Sequence, residues 1–445
     1  MNKLPIYDPK VSVPFNFGIT TNKPETVRSA ERLFRLLNIS TGNKDNVKLK
    51  FLVTLLLNMN LSLYNEHMLA ISLRPEHYAK SHKRYRPVIK SYDTVRTVLR
   101  ALEQFGYIEL IKGIKLPGHD TGVQTKIAPA EKLVGLLTDT QLSEASFTPP
   151  QEVIILRERN ESKKEIDYED TFEIRNWRRD LNTYNELRSN SVITLYGLSA
   201  EQFENEKNFF FKYTMISADE IWRTEYQNLK SINLKTTYVK RIFSEDFNKG
   251  GRIYGGSEQQ LPSEYRNLIK INGEPTVELD YSSYHLRMLY HLRKRNLSGN
   301  AYQSLSGDDP DMYKIYKSLA LRCINCKSEK AVLQSFRKYL VDEKLQGLFP
   351  DLKDITLKVY INKLSEKHSK IKHDFLTDKG VVLQNIDSKI SNNIIKHFFQ
   401  KPDPVLVLPI HDSFIVPAGY KDELYEVMKQ EYFKVFKKYP EIKIS

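Results

Sequence analysis

Long apolar runs, cysteine and low-complexity sequence are what this chain has least of. No stretch of its 445 residues approaches the ~20 continuous apolar positions that a membrane-spanning helix requires. The first ten residues, MNKLPIYDPK, lack the basic-then-apolar pattern of a secretory signal, so a cytoplasmic protein with no membrane partner is expected. Two cysteines, both in the run Cys323-Ile-Asn-Cys326, exclude a disulfide framework and fall short of the four ligands of a structural zinc site. No Gly/Ser-rich or proline-rich linker and no repeat of fixed period is present, which predicts closely joined domains. Positive charge, by contrast, is in excess. Lys and Arg number 68 against 55 Asp and Glu, a formal net charge of +13, while 40% of residues are hydrophobic. Such a chain can build sizeable cores, and its charge favours a polyanionic partner, nucleic acid above lipid in the absence of a lipidation motif.

Residues 47–65 (VKLKFLVTLLLNMNLSLYN) and 91–105 (SYDTVRTVLRALEQF) carry apolar side chains at helical spacing, the second with Ser91 or Asp93 available as a cap. Gly106 follows, then the alternating YIELIKGI, the turn-rich LPGHDTG and a returning strand QTKIA. Helix, helix, hairpin is the order of a winged helix-turn-helix, and SYDTVRTVLRALEQFGYIELIKG resembles the recognition helix and wing entry of that family. The resemblance implies a DNA-binding helix whose N-terminal residues reach into the major groove. His82, Lys83, Arg84, Arg86 and Lys90 precede that helix, and Arg96 and Arg100 lie four apart on it, so Arg84, Arg86, Lys90, Arg96 and Arg100 are the expected DNA contacts. This domain is expected over residues 1–140. Residues 141–246, including the periodic FENEKNFFFKYTMISADEIWRTEY, read as a largely helical, thumb-like connection.

The chemistry lies in residues 247–445. Thr276-Val-Glu-Leu-Asp280 alternates like a strand and ends on an acid, after which YHLRMLYHLRKR reads as a helix. Later, the apolar run Pro404-VLVLPI is interrupted by His411-Asp412-Ser413 and resumes as Phe414-Ile-Val-Pro417, a hairpin with an acid at its tip. An unpaired carboxylate in apolar surroundings costs several kcal/mol. Two such acids suggest a metal, because two-metal phosphoryl transfer needs carboxylates held on rigid strands.

Val277-Glu-Leu-Asp-Tyr-Ser-Ser-Tyr-His-Leu-Arg-Met-Leu289 resembles motif A of family A DNA polymerases. Ile410-His-Asp-Ser-Phe414 resembles motif C of that family and of the phage single-subunit RNA polymerases. The likeness spans roughly residues 245–420 and implies an α+β right-hand palm with compact fingers. It further implies catalysis by Asp280 and Asp412 through two Mg²⁺ (or Mn²⁺) ions with help from the Tyr281 backbone, and His411 at the primer terminus. Asn248-Lys-Gly-Gly-Arg252, with Arg266 beyond it, resembles the glycine-arginine segment before motif A, where close glycines let backbone approach a ligand. Asp311-MYKIYKSLALRCIN takes the place of motif B, which puts Lys317, with Lys314 and Arg322, at the triphosphate. Gln384 resembles the glutamine that contacts the primer-template minor groove. Three departures stand out. Asn325 falls where a tyrosine is usual, Tyr313 where a basic residue is usual, and His285 where DNA polymerases of this family carry the glutamate that blocks a ribose 2′-hydroxyl. His285 and Asn325 are therefore expected at the nucleotide, with sugar choice open between dNTP and NTP.

The reading is a template-directed nucleotidyltransferase acting on a DNA template, a primer and (d)NTPs, with other replication proteins as further partners. Its small size and DNA-binding module suit replication of a plasmid, phage or other mobile element. A primase or single-subunit RNA polymerase is the first alternative, and a non-catalytic winged-helix initiator or regulator the second. An HD-type phosphohydrolase would need further metal-binding histidines upstream, and the histidines at 67, 77, 82, 119, 285 and 291 form no such pattern.

Overall fold

A computed structural model describes residues 12–21, 24–39, 45–65, 67–79, 84–87, 89–113, 123–138, 146–147, 150–160, 163–199, 201–202, 229–234 and 238–444. His82, Lys83, the LPGHDTG turn and the periodic stretch from Phe203 to Tyr226 lie outside the described residues. The fold is α+β. Among the described residues no helix is long and apolar enough to cross a membrane. The chain forms two compact units, one of residues 1–240 and 255–273 and the other of residues 241–254 and 274–445. This grouping differs from the division at 140 and 246 expected from composition.

The first unit begins with helices Pro24–Leu36 and Asp45–Asn65, strand Met68–Ile71, the short helix Pro75–Ala79, helix Tyr92–Gln104, and strands Ile108–Ile111 and Thr125–Pro129. Its sheet runs in the order Ser12–Pro14, Met68–Ile71, Thr125–Pro129, Ile108–Ile111. Helix Tyr92–Gln104 starts where the Ser91 hydroxyl accepts from the Thr94 amide at 3.2 Å and stops before Gly106, whose φ of +71° favours glycine. Between those limits Val95, Val98, Leu99 and Leu102 fall on one face and pack with Leu52, Leu55, Leu56, Met59 and Ile127. Arg96 and Arg100 stay off that core, Arg100 exposed and Arg96 over the Tyr92 ring at 5.7 Å.

Two expectations for this unit need correction. Arg84 is not a free DNA contact: its guanidinium pairs with Asp167 at 2.9 Å and Asp170 at 3.0 Å, donates to the Tyr168 carbonyl at 2.7 Å, and lies over the Tyr168 ring. Arg178 binds the same Asp170 together with the buried Glu152, so the acidic residues of IDYED, remote in sequence, absorb the charge of Arg84. Nor is the described part of the middle stretch mainly helical. It holds one long helix, Phe172–Ser189, with strands Ile154–Arg157, Ile193–Leu198 and Leu229–Asn233. Ile193, Leu195 and Leu198 are all buried in ITLYGL, while the dense charge of the neighbouring sequence masks that short strand from a helical-periodicity reading. The long helix is anchored by a fully buried Arg188–Glu258 pair with both oxygens engaged at 3.0 Å.

The second unit is built on an antiparallel sheet ordered Leu408–Ile410, Ser413–Pro417, Glu274–Tyr281, Ile442–Ile444. In the central strand Leu279 and Tyr281 are buried, and Tyr281 donates to the Met428 carbonyl of helix Lys421–Phe436 at 2.6 Å. Glu278 and Asp280 therefore share the opposite face. Helices Tyr284–Leu292, Pro310–Asn325, Glu329–Asp342, Asp354–Lys367 and Gly380–Phe399 fill the interval between the two acidic segments. Strand Asp246–Tyr254 packs against helix Gly380–Phe399. The glycines of that strand serve this packing. At Gly251, with φ +91°, a Cβ would sit 2.5 Å from the Phe243 ring and 2.9 Å from the Ser388 hydroxyl, and Asn385 donates to the Gly250 carbonyl at 3.2 Å.

Candidate active site

Strand register brings the two acids together. Asp280 stands opposite Ser413, and the Tyr281 amide donates to the Asp412 carbonyl at 3.2 Å, so both acids lie at the same end of paired strands. The pairing of Ile410 with Ser413 leaves His411 and Asp412 as a two-residue turn, with His411 at φ +59°. A left-handed histidine costs on the order of 1 kcal/mol, and the buried strands on either side hold it. Tyr281 contributes its backbone here as an amide donor to the second acidic segment.

The charges converge on Asp280. Burial, then the Asp412 carboxylate, with a smaller push from Glu278, raises its pKa to about 7, against the pull of Lys317 and Lys443. Lys317 is exposed on helix Pro310–Asn325, in electrostatic reach of Asp280. Lys443 is paired with Asp280 in the strand register, which places its side chain on the same face of the sheet. Ser413 shares its hydroxyl between Glu278 and the Ile410 carbonyl.

A second group adjoins the acids. Arg252 Nε donates to the Asp387 carboxylate, and Nη2 meets His285 Nε2 at 3.1 Å. Burial opposes the Arg252 charge, but Asp387 and then Asp412 outweigh it and raise its pKa above the ordinary value. Burial likewise lifts Asp387 to about 6, with Arg252 offsetting part of the rise. His285 is pushed down to about 3, by burial and then by Arg252, and is neutral. Arg252, Ser388, Ser391, Asn392 and His411 line a narrow cleft beside this group, and the His411 and Tyr254 rings lie 5.9 Å apart. Gln384 precedes Asp387 by three on the same helix, so both lie on one side of it.

Other expected residues are placed elsewhere. Arg322 is part-buried, bound to the carbonyls of Ser318 and Ser335 at 3.0 Å and stacked on Tyr339. It joins helix Pro310–Asn325 to its neighbour, which leaves it no free fork for a phosphate. The Asn325 side chain bonds back to the Leu321 carbonyl at 2.8 Å and sits where a Cβ on Gly380 would collide, a packing role at the start of helix Gly380–Phe399. Lys314 is exposed and pairs with Asp311 at 3.4 Å. Arg266 belongs to the first unit, where it donates to the Leu261 carbonyl at 3.4 Å.

Sequence reasoning missed Asp387, Glu278 and Lys443. Glu278 was legible as the residue two before Asp280 on an alternating strand, and Asp387 as the helical neighbour of Gln384. Lys443 had no local signal, since only the strand register brings it beside Asp280.

The donor set fits a divalent cation. Two carboxylates are held side by side and part-buried, and their mutual repulsion raises Asp280. A cation between them would relieve it. Among the described residues no group of three or more His, Cys, Asp or Glu side chains is gathered as a ligand set. Two carboxylates completed by backbone, water and phosphate oxygens is an arrangement Mg²⁺ accepts.

Comparison with protein families finds no match, and comparison with curated proteins finds none. Among solved structures the chain is similar to the POL domain of Pol1 from M. smegmatis in complex with DNA primer-template and dNTP, at 11% identity and a TM-score of 0.35. That alignment covers 96% of this chain, which spans 66% of the length of the other.

Proposed function

We propose that the protein is a template-directed nucleotidyltransferase of the family A DNA polymerase type. The observation that carries the reading is the meeting of Asp280 and Asp412, from segments far apart in sequence, at one end of paired strands, with a raised Asp280 pKa. Their carboxylates would hold two Mg²⁺ or Mn²⁺ ions, which when bound would activate a primer 3′-hydroxyl and neutralise charge on the triphosphate. The chain's own residues supply alignment. Lys317 draws the triphosphate toward the acids, Gln384 and Arg252 border the primer and template, and His411 presents its ring beside Asp412. Alignment and charge neutralisation are the main resources of such catalysis.

The first unit supports a DNA-binding role. Strand Met68–Ile71, helices Pro75–Ala79 and Tyr92–Gln104, and the hairpin of Ile108–Ile111 with Thr125–Pro129 follow the order of a winged helix, with Thr125–Pro129 between the other two strands. In this reading Arg86, Lys90, Arg96 and Arg100 meet duplex DNA. A polymerase with its own DNA-binding module suits replication of a plasmid, phage or mobile element.

The position of His285 favours one second reading, a primase or RNA polymerase that accepts ribonucleotides. Extension of a labelled primer on a DNA template with Mg²⁺ tests both, run with dNTPs and with NTPs, with and without primer. Extension by the parent and its loss in Asp280→Ala and Asp412→Ala is expected, whereas synthesis without primer selects the second reading. A parent that binds DNA but incorporates neither nucleotide leaves a non-catalytic initiator and sinks the enzymatic reading.

A further inference from the structure

Three cations of the first unit, Lys90, Arg157 and Lys240, come from segments far apart in sequence and meet around one carboxylate. Arg157 ends strand Ile154–Arg157 and stands opposite Glu165 in an antiparallel bridge, which puts both side chains on one face. Tyr85 ties the approach to helix Tyr92–Gln104 onto that bridge. Its hydroxyl donates to the Ile166 carbonyl at 2.6 Å and accepts from the Leu156 amide at 3.3 Å, the chain neighbours of Glu165 and Arg157. Lys90 follows on the same approach, and Lys240 lies in electrostatic reach of Lys90, Arg157 and Glu165 together. All four side chains are half-buried. Burial, with repulsion from Arg157 and Lys90, draws the Lys240 pKa down against the pull of Glu165.

Three cations facing one carboxylate leave positive charge in excess at a place partly shut off from water. The Nε of Arg157 is buried and has no hydrogen-bond partner among the described residues. The Lys90 ammonium stands over the Phe17 ring at 5.7 Å, a contact that leaves its hydrogen-bond donors open. A buried unpaired donor and crowded like charges each cost free energy, and an anion with several oxygens relieves both at once. We propose that Lys90, Arg157 and Lys240 form a seat for one phosphate of a duplex DNA backbone. Lys90 directly precedes Ser91, the cap of helix Tyr92–Gln104, and the N-terminal turn of a helix itself favours an anion. The backbone of a duplex in contact with that helix is therefore the anion within reach. Arg157 offers a planar fork to the phosphate oxygens and the two lysines act as point charges. The proposal rests on the DNA-binding reading of the first unit and extends that interface to Arg157 and Lys240, outside the helix-turn-helix order. Such contacts fix register on the duplex and read no bases.

The test is an anisotropy titration of a labelled mixed-sequence duplex with the full chain over a range of salt. The proteins are the parent, Arg157→Gln, Lys240→Gln, their double variant and Arg157→Lys, and each is also melted alone. Each single Gln variant should lose about 3- to 10-fold in affinity, and the double variant should lower the slope of log affinity against log salt by about one. The double loss should be smaller than the product of the single losses, because both side chains serve one phosphate. Arg157→Lys should keep most of the slope. The free Gln variants should melt at or above the parent, since removing a cation relieves repulsion, whereas an arginine with a merely structural role would lower the melting temperature. A folded double variant with parental affinity and slope overturns the proposal. If Arg157→Gln does not fold, Lys90→Gln with Lys240→Gln takes its place, with the same coupling expected and parental binding overturning the proposal. Inorganic phosphate or a dNTP that raises the melting temperature of the parent alone, with duplex binding equal in parent and double variant, assigns the cluster to a free anion and also overturns it. A parent that binds no duplex refutes the DNA-binding reading itself, whereas a parent that binds duplex no better than its double variant refutes only the phosphate seat.

Discussion

Replacing Asp280 by Asn should stabilise the metal-free protein while abolishing its activity. Asp280 is raised from 3.8 to about 7 by burial and by Asp412, a shift of roughly 3 units, which at ~1.4 kcal/mol per unit would be about 4 kcal/mol for a fully shielded group. The carboxyl is part-exposed, and solvent screening brings this to about 2 kcal/mol. A carboxyl whose folded pKa lies above its unfolded value contributes stability that is fully present below about pH 4 and lost as pH rises through about 7. At pH 8 without metal the parent has lost that contribution, whereas the uncharged amide never carries the repulsion. Urea unfolding in EDTA should therefore find Asp280→Asn about 2 kcal/mol more stable than the parent at pH 8, with the advantage shrinking toward pH 4. Mg²⁺ should reverse the order, since a ligand at 100 times its Kd adds about 2.7 kcal/mol to a protein that binds it. A variant less stable than the parent at pH 8 in EDTA, or an advantage independent of pH, would refute the electrostatic account of this site.

Four further outcomes follow from particular residues. Lys317→Ala should raise the KM for nucleotide about tenfold or more, whereas Lys314→Ala, whose ammonium already pairs with Asp311, should change it by less than about threefold; equal effects in extension kinetics would contradict the placement of Lys317 near Asp280. Gly251→Ala should destabilise by roughly 2–4 kcal/mol, because a positive φ and a Cβ against Phe243 and Ser388 act together, and chemical denaturation measures it. Arg84→Ala should lower stability by about 1–3 kcal/mol by leaving the buried Glu152 and its acidic neighbours short of a cation, yet leave the salt dependence of DNA binding alone. Arg100→Ala should do the opposite, reducing the slope of log affinity against log salt by about one in a titration of duplex DNA.

Local pattern was a good guide wherever short-range forces decide the outcome. The alternation of Thr276–Asp280, the interrupted apolar run around His411 and Asp412, and the spacing of Val95, Val98, Leu99 and Leu102 each predict the element that forms, because burial of one face follows directly from side-chain order. The same reasoning did not reveal the partners of Arg84 and Arg322 or the packing at the glycine pair. An arginine near a DNA-binding helix looks like any other until its partners are known, and those of Arg84 lie 68 to 86 residues away. Gly250 and Gly251 carry no mark of the helix they pack against, which only the docking of helix Gly380–Phe399 reveals.

The chain by itself determined its two acidic segments, their place at strand ends, the basic balance and the helices of the first unit, since these depend on residue order over a few turns or strand positions. Tertiary structure alone decided which charges meet. Strand register set Lys443 against Asp280, and helix docking buried Asp387 beneath Arg252. Electrostatic interaction depends on distance in space and on the water excluded between groups, and neither quantity is written in the order of residues.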